Sequence, residues 1–478
     1  MSVSQSLTTA RRSREKVSFL VLLLYLATLS VDAGRKVIGL PVSTLGIVYI
    51  LVGAIYLFSL RRMSDESRAV PDALPVCLVL LSLWCISESI IPGVPFGMAI
   101  LGWSSYAFFV PLLYVGAALM SDDRRARRTL QVAAIGGAVV GLGAVASALL
   151  RQAAPALLQP IVASVGVHSF DAENIYLAPS FFATAEEAAE VLLISLFAWI
   201  ALASLPNGKL ARTSSAVIGV LLAGGLIAAE RRADIVVAVA GVLVLLLPRP
   251  IGTLGTTYRP ASLTTALARG RLGSAVILAI AGAITLVSFL GASKLVPFLT
   301  SVSNGQGALR LMFSPAHPGA LSGQGTGTST QGASLVGAIT FVGIDRTGPY
   351  AGYVVAGRTF VVAEGGLTKT WLELGIVGVI LYGGVFLSAL GPAIGRWRRT
   401  DGTGRALTVL TLALGIVFLK GHQSLDDPLI QPCFWLAAGG ALGRIGRPSP
   451  WPEDAASSSP AILRNNGVRQ SASRSSVG

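Results

Sequence analysis

The residues best suited to chemistry are arginines that stand where arginine is uncommon. Glu230, Arg231 and Arg232 lie together in the middle of an apolar stretch, LLAGGLIAAERRADIVVAVAGVLVLLL, over residues 221–247. Arg310 lies in a long segment that is rich in glycine, serine and threonine. A guanidinium group can donate two parallel hydrogen bonds to the oxygens of a phosphate or diphosphate. The three arginines therefore predict a binding site for a phosphate-bearing anion.

Further polar residues accompany these arginines in segments that we expect to face the same side of a membrane. His422 lies beside the short turn GHQSLDDPL, which also holds Asp426 and Asp427. Glu364 precedes the apolar segment near the end of the long polar stretch. The remaining candidates, for contacts with a second substrate, are Glu186, Glu190, Arg346, Arg358 and Lys369.

Each candidate also has a structural alternative. Arg231 and Arg232 can extend to lipid headgroups and pair with Glu230 or Asp234. The acidic group around Glu186 can stabilise the N-terminus of a helix through the helix dipole. His422 can form a hydrogen bond within its own turn, and His317 can simply be exposed. The functional interpretation rests on the predicted position of all these residues on one face.

The sequence contains no pattern that predicts a metal or a disulfide. Cys77 and Cys85 are eight residues apart, about 12 Å along a helix, which is too far for a disulfide. Cys433 lies far from both, and the three histidines are not paired at helical spacing. The outer segments hold no carboxylate cluster of the DxD type. We therefore expect neither a metal nor a cofactor.

The composition indicates the elements that must position these residues. The chain has 478 residues, of which 53% are hydrophobic and only 13% charged, and its mean hydropathy is +0.70. The apolar residues form long blocks, which indicates an all-α, polytopic helical membrane protein. About 12 transmembrane helices are predicted, at residues 17–31, 43–60, 71–91, 98–120, 129–150, 180–205, 213–229, 233–247, 273–293, 370–395, 406–421 and 429–443.

Basic runs between these segments predict the topology. Most of the 37 Lys and Arg residues fall in alternate loops, as the positive-inside rule requires of cytoplasmic loops. The net charge of +14 is therefore explained by topology, and nucleic acid is not an expected partner. Both termini are predicted to be cytoplasmic. The chain divides into a cytoplasmic N-terminus (1–16), a membrane domain (17–447) with one large extracytoplasmic loop (294–369), and a disordered tail (448–478).

The positive-inside rule also predicts how the stretch around Arg231 crosses the membrane. The flanking basic loops at 209–212 and 249–271 both look cytoplasmic, so the chain must cross the membrane an even number of times between them. A single helix over 213–247 would be about 52 Å long, too long for a bilayer core of about 30 Å. We therefore predict two short helices, with Glu230, Arg231 and Arg232 in the outer turn between them.

Four segments resemble the O-antigen ligase and O-antigen polymerase family of polytopic membrane glycosyltransferases. LIAAERRADIVVAVAGVLVLLL resembles the family's arginine-bearing helix pair, and GALRLMFSPAHPGALSGQGTGTS resembles its loop segment with a GxGxG turn. EGGLTKTWLELGIVGVILY is similar to the segment that closes the loop, and HQSLDDPLIQPCFWLAAGGALG to the final helix pair. The order and spacing of these segments agree over roughly residues 17–445.

This resemblance implies metal-independent, inverting transfer of a glycan at the outer face of the inner or plasma membrane. The implied donor is a polyprenyl-diphosphate-linked glycan, and the implied acceptor is a glycan or a lipid-linked molecule. The family's diphosphate-binding arginines match Arg231 or Arg232 and Arg310. Its acceptor-activating histidine falls near Glu364, where this chain has no histidine, so Glu364 is the candidate base and His422 a second catalytic candidate. Polymerisation and ligation both stay open.

Two other classes of protein compete with this interpretation. A transporter or flippase of a lipid-linked or anionic substrate would have a similar number of helices. Against it, we expect few polar residues in the interior of the membrane domain, where such residues mark a transport path. The third class is a structural subunit of a cell-envelope assembly, whose long loop binds protein partners of envelope biosynthesis.

Overall fold

The computed structural model describes residues 16–26, 44–59, 70–90, 93–153, 185–205, 212–229, 231–246, 321–328, 351–355, 358–362, 366–397, 400–420 and 430–445. Most of this part of the chain is helical. In the first half the helices are α1 (Lys16–Leu26), α2 (Thr44–Ser59), α3 (Ala73–Ile90), α4 (Phe96–Trp103), α5 (Leu112–Met120) and α6 (Asp123–Ala153). The later helices are α7 (Ala185–Ala203), α8 (Arg212–Ala228), α9 (Arg232–Leu246), α10 (Gly366–Gly395), α11 (Gly402–Lys420) and α12 (Gln431–Gly443).

The predicted helical character of the chain is confirmed. Each predicted membrane segment overlaps a helix of the described residues, except 273–293, which lies outside them. Within the predicted loop, β1 (Ala351–Val355) and β2 (Arg358–Val362) form an antiparallel hairpin that the sequence did not indicate. The number of membrane crossings, the sides of the termini and the disorder of 448–478 stay predictions.

Five helices in the described part of the chain are long and apolar enough to cross a membrane. They are Ala73–Ile90, Phe96–Met120, Asp123–Leu150, Gly366–Gly395 and Gly402–Leu419. The second is formed by α4 and α5, joined by a π-helical turn at Ser104–Phe108.

Large apolar side chains on the outside of the bundle agree with a lipid environment. On α3, Val76, Val79, Leu83, Ile86 and Ile90 are each more than half exposed. Their spacing of three to four residues places them along one face of the helix. A water-soluble protein seldom exposes so continuous an apolar stripe. This face of α3 is therefore suited to contact with lipid tails.

The helices pack in two groups that share α11. One group contains α3, α4, α5, α10, α11 and α12, and the other contains α6, α7, α8 and α9, with α7 and α9 also packed on α11. Small residues allow the closest approaches. Gly439 and Gly443 of α12 lie so near the backbone of α5 that a Cβ at either would overlap a carbonyl oxygen. Glycines four residues apart are a common means of packing membrane helices closely.

Arg444 joins several helix ends at one end of the bundle. Its Nη2 lies 2.6 Å from Asp401 Oδ2, just before α11, and its Nη1 donates a hydrogen bond to Met120 O at the end of α5. It also forms an ion pair with Asp123 at the start of α6. Arg444 is 1% exposed, and its contacts join the ends of α5, α6, α11 and α12. We call this region the Arg444 end.

Two helix starts that follow predicted outer segments, those of α7 and α10, lie at the opposite end of the bundle. Ser105, which accepts a hydrogen bond from Lys369 in the first turn of α10, is 15 residues before Met120, or about 22 Å along the helix. The end of α7 adjoins the start of α11, because Thr403 Oγ1 donates to Ala201 O. The beginning of α7 therefore lies far from Arg444. We call this opposite region the Glu373 end, after a buried residue of α10.

Candidate functional site

The turn between α8 and α9 lies at the Glu373 end. Trp199, near the end of α7, donates its Nε1–H to Ser215 near the start of α8. From Ser215, α8 runs away from the Arg444 end to Ala228, and α9 starts back at Arg232. The predicted division of 213–247 into two short helices is thus confirmed.

Arg231 occupies this turn and is partly buried, and its carbonyl oxygen accepts the first-turn hydrogen bond from Ile235 N. Arg232 is the first residue of α9, and its side chain lies outside the described part. Asp234, in the first turn of α9, is 2% exposed. A carboxylate in the first turn of a helix is stabilised by the helix dipole.

The acidic residues of α7 lie at the same end. Glu186 belongs to the first turn of α7, and Glu190 to its second. Glu190 is 3% exposed, so it is less accessible than a residue that binds substrate at the surface. Glu186, in the first turn, is where the structural alternative places an acid that stabilises the helix N-terminus.

A break interrupts α10 at Gly375. Gly375 has φ 64° and ψ −168°, a backbone conformation that is essentially restricted to glycine. The break leaves backbone carbonyl groups without their usual helical partners. Trp84 of α3 satisfies one of them, because its Nε1–H donates to Leu374 O at 2.8 Å.

Residues 321–328, which include the GxGxG turn, bind the other carbonyl groups at the break. Gln324 N donates to Leu372 O at 2.7 Å, and Gly325 N donates to Glu373 O at 3.2 Å. Non-helical backbone within a membrane protein is stable only where its polar groups are paired, as these are.

The same segment is also attached to α3 and α4. Gly323 N donates to the carboxylate of Glu88 at 2.9 Å, and Thr326 Oγ1 donates to Cys85 O at 2.8 Å. Gly327 lies so near Met98 of α4 that a Cβ would overlap its carbonyl oxygen. This part of the predicted large loop 294–369 is inserted between helices, and Thr326 and Thr328 have no exposed surface. The extracytoplasmic position of the loop stays a prediction.

The π-helical turn at Ser104–Phe108 lies close to the break in α10. A π-turn inserts one residue into a helix and redirects the side chains around it. Tyr49 of α2 is hydrogen-bonded to Ser104 at 2.6 Å, and Tyr56 donates to Phe108 O. The neighbouring Ser105 and Tyr106 are buried and turned toward α10.

The π-helical turn between α4 and α5 and the broken helix α10 enclose a buried polar cluster. Tyr106 donates its hydroxyl proton to Glu373 Oε2 at 2.9 Å, and Lys369 Nζ donates to Ser105 Oγ at 3.3 Å. The Lys369 ammonium also lies 5.0 Å from the centroid of the Tyr106 ring, within the range of a cation–π interaction. Gln431 at the start of α12 donates its Nε2–H to Ser105 O. We call these five residues the Glu373 cluster.

The cluster corrects two expectations. The sequence predicts Lys369 as the last residue of the large loop and a contact for a second substrate, whereas it belongs to the first turn of α10 and has no exposed surface. The expectation of few interior polar residues is also wrong, because Glu88, Lys369 and Glu373 are all 2% exposed or less. A carboxylate in an apolar segment, as in LWCISESI, and the spacing of four residues in KTWLE were the signals in the sequence.

Of the other candidates, one lies in the β-hairpin and four lie outside the described residues. Arg358 belongs to β2 opposite Val355, and its side chain lies outside the described residues. The candidates that lie wholly outside the described residues are Arg310, Arg346, Glu364 and His422.

Neither metal ligands nor related proteins identify the site further. Among the residues that the structure describes, no group of three or more His, Cys, Asp and Glu could hold a metal ion. No protein-family model matches the chain, and no curated protein matches it either.

Proposed function

We propose that the chain is a membrane glycosyltransferase of the O-antigen polymerase or ligase type. It would transfer a glycan from a polyprenyl-diphosphate-linked donor to a glycan or lipid-linked acceptor at the Glu373 end. The observation that supports this most is the convergence of three segments that are far apart in sequence. The Arg231 turn, the GxGxG segment and the WLELG start of α10 lie at one end of the bundle, and the last two are in direct contact.

The proposed chemistry uses positive charge to stabilise a diphosphate leaving group. Arg231 or Arg232, together with Arg310, would hold the diphosphate oxygens. The bond between the donor sugar's anomeric carbon and the phosphate oxygen breaks, and a bond from that carbon to the acceptor hydroxyl oxygen forms with inversion. Glu364, or else His422, would accept the hydroxyl proton. The polyprenyl diphosphate leaves within the bilayer.

The location follows from the same topology. If the basic loops are cytoplasmic, the Glu373 end faces the outer side of the inner or plasma membrane, where a lipid-linked glycan is exposed to acceptors. The apolar outer faces of the helices would let the polyprenyl chain of the donor reach the site through the lipid phase. Other envelope-biosynthesis proteins are the expected protein partners.

A transporter or flippase is the second candidate, and one observation favours it. Broken helices with buried charges near the break are typical of transporter binding sites. Gly375 interrupts α10 two residues after the buried Glu373. An exporter would change the conformation of α10 at this break as it carries the substrate across the membrane.

The two functions are separated by the substrate that accumulates. In cells whose own copy is replaced by R231A or R232A, we expect the lipid-linked glycan to accumulate on the outer leaflet, while the protein remains folded and abundant. R128A is the matched control, because Arg128 is an exposed arginine on α6 near the Arg444 end. Accumulation on the inner leaflet would favour the transporter. Unchanged surface glycan and no accumulated intermediate would refute both functions.

A further inference from the structure

We propose that the chain has a buried binding site for one water molecule, which bridges Gln431 Oε1 and Trp435 Nε1 on α12. We call it the Gln431–Trp435 site. It is a property of the folded chain, and it does not depend on the identity of the reaction.

Two buried polar atoms of α12 point to this site. Gln431 and Trp435 have no exposed surface. Among the described residues, no donor reaches Gln431 Oε1 and no acceptor reaches Trp435 Nε1. A buried polar group without a hydrogen bond is costly, and in native proteins nearly all such groups are bound to protein or to ordered water. Each of the two atoms therefore calls for a ligand.

The two side chains are placed so that one ligand can serve both. They are four residues apart, so they project from the same side of α12 with a rise of about 6 Å between them. That rise is close to twice the length of a hydrogen bond, about 3 Å. Gln431 is held toward the π-helical turn, because its Nε2–H donates to Ser105 O.

Aromatic rings of α10 and α12 form the walls of the site. The Trp435 ring lies 5.6 Å from that of Phe386 on α10 and 4.9 Å from that of Phe434, between ring centroids. One turn earlier on α10, Tyr382 packs edge to face against Tyr106 of the π-helical turn. Tyr382 is 4% exposed, and Phe434 has no exposed surface. A substrate group therefore has no access to the site in this arrangement.

The chemistry of the two atoms selects the ligand. The indole N–H of Trp435 can only donate a hydrogen bond, and the amide oxygen of Gln431 can only accept one. The ligand must therefore accept one hydrogen bond and donate another. A water molecule does both without bringing a charge into the bundle. A metal ion cannot accept the indole hydrogen bond, and a simple anion has no hydrogen to donate to Gln431.

The bound water would connect α12 to the irregular part of the α4–α5 segment. It accepts from Trp435 and donates to Gln431, whose amide in turn donates to Ser105 O. A π-turn is stable only where its surroundings hold it in place. The water thus stabilises the orientation of Gln431 that binds this turn.

The site is tested on the purified full-length chain in lipid nanodiscs by two measurements. The ultraviolet resonance Raman spectrum of wild type minus W435F reports whether the Trp435 N–H donates a hydrogen bond. A short X-ray pulse in heavy-oxygen water makes hydroxyl radicals from water in place, so a buried side chain gains heavy oxygen where a water molecule lies against it. We expect a hydrogen-bonded Trp435 that is also labelled.

Trp199 is the matched control within the same chain. It is 1% exposed, and its Nε1–H donates to Ser215 Oγ at 3.1 Å, so a protein group already satisfies it. Its Raman band, from wild type minus W199F, should show a hydrogen bond, but its labelling should be weak. Q431M removes the acceptor of the water and should lower the labelling of Trp435 by about fivefold, with Trp199 unchanged.

Every other outcome would overturn the proposal. A free Trp435 N–H excludes a bound water at this atom. A hydrogen-bonded Trp435 that is labelled no more than Trp199 shows a direct bond to a protein group instead. Labelling that persists in Q431M shows a water that Gln431 does not hold. If Q431M fails to fold, the Trp199 band shifts as well, and the two wild-type measurements decide the question by themselves.

Discussion

Removal of the Arg444 side chain is expected to destabilise the bundle far more than removal of an exposed charge nearby. The ion pair of Arg444 with Asp401 joins two side chains that are 2% and 3% exposed, at a distance of 2.6 Å. Without Arg444, the Asp401 carboxylate stays buried with no counter-charge, which costs about 3–5 kcal/mol. The pair with Asp123 adds about 0–1 kcal/mol, since that carboxylate is 44% exposed. R444A should thus lower the free energy of unfolding by about 3–6 kcal/mol.

The assay is denaturant unfolding of the purified chain in detergent micelles, with the double variant R444A/D401A to isolate the pair. R125A is the matched control. The pair of Arg125 and Asp122 lies at the same end, but it is 3.7 Å long and its side chains are 22% and 43% exposed. A loss for R444A no larger than that for R125A, or additive effects in the double variant, would refute the assignment of Arg444 as a buried link between helices.

Three further predictions concern the break in α10 and the pH dependence of stability. G375A should release residues 321–328, because its φ of 64° disfavours alanine and a Cβ would overlap a carbonyl oxygen of that segment; faster hydrogen exchange there checks this, and unchanged exchange would contradict it. W84F should lower the free energy of unfolding by about 1–3 kcal/mol, because Leu374 O loses its donor; an effect within the error of the unfolding curve would argue against this bond. Burial raises the pKa of Asp122, but hydrogen bonds from two backbone N–H groups and the adjacent arginines outweigh it and hold the pKa below its ordinary value. Its stabilisation is therefore present above about pH 4 and is lost as the pH falls through the folded-state pKa, so D122N should flatten the acid side of the stability profile.

The buried charges change how the competing functions should be weighed. From the sequence, scarce interior polar residues argued against a transporter, yet Glu88, Lys369 and Glu373 lie between the helices. Their position close to the break in α10 suits a segment that changes conformation, in a glycosyltransferase as well as in a transporter. The sidedness of the accumulated lipid-linked glycan distinguishes the classes, since both would use the Glu373 end.

The sequence by itself determined the helical segments and the turn at Arg231. A block of about 20 apolar residues has one stable form in a bilayer, because every backbone polar group must be paired within the segment. The basic runs then divided 213–247 into two helices, and the structure has α8 and α9 there. These features depend on composition and on local hydrogen bonding, so they can be predicted from a single chain.

Only the tertiary structure decided which polar residues meet. Glu88, Tyr106, Glu373 and residues 321–328 are separated by tens to hundreds of positions, and their contacts depend on how the helices pack. The left-handed conformation of Gly375 and the π-turn before Phe109 are equally invisible in the sequence, since each is stable only because other elements bind the displaced backbone groups. In the sequence Arg444 is one more basic residue after the last apolar segment, and its ion pair with Asp401 makes it a buried link between helices.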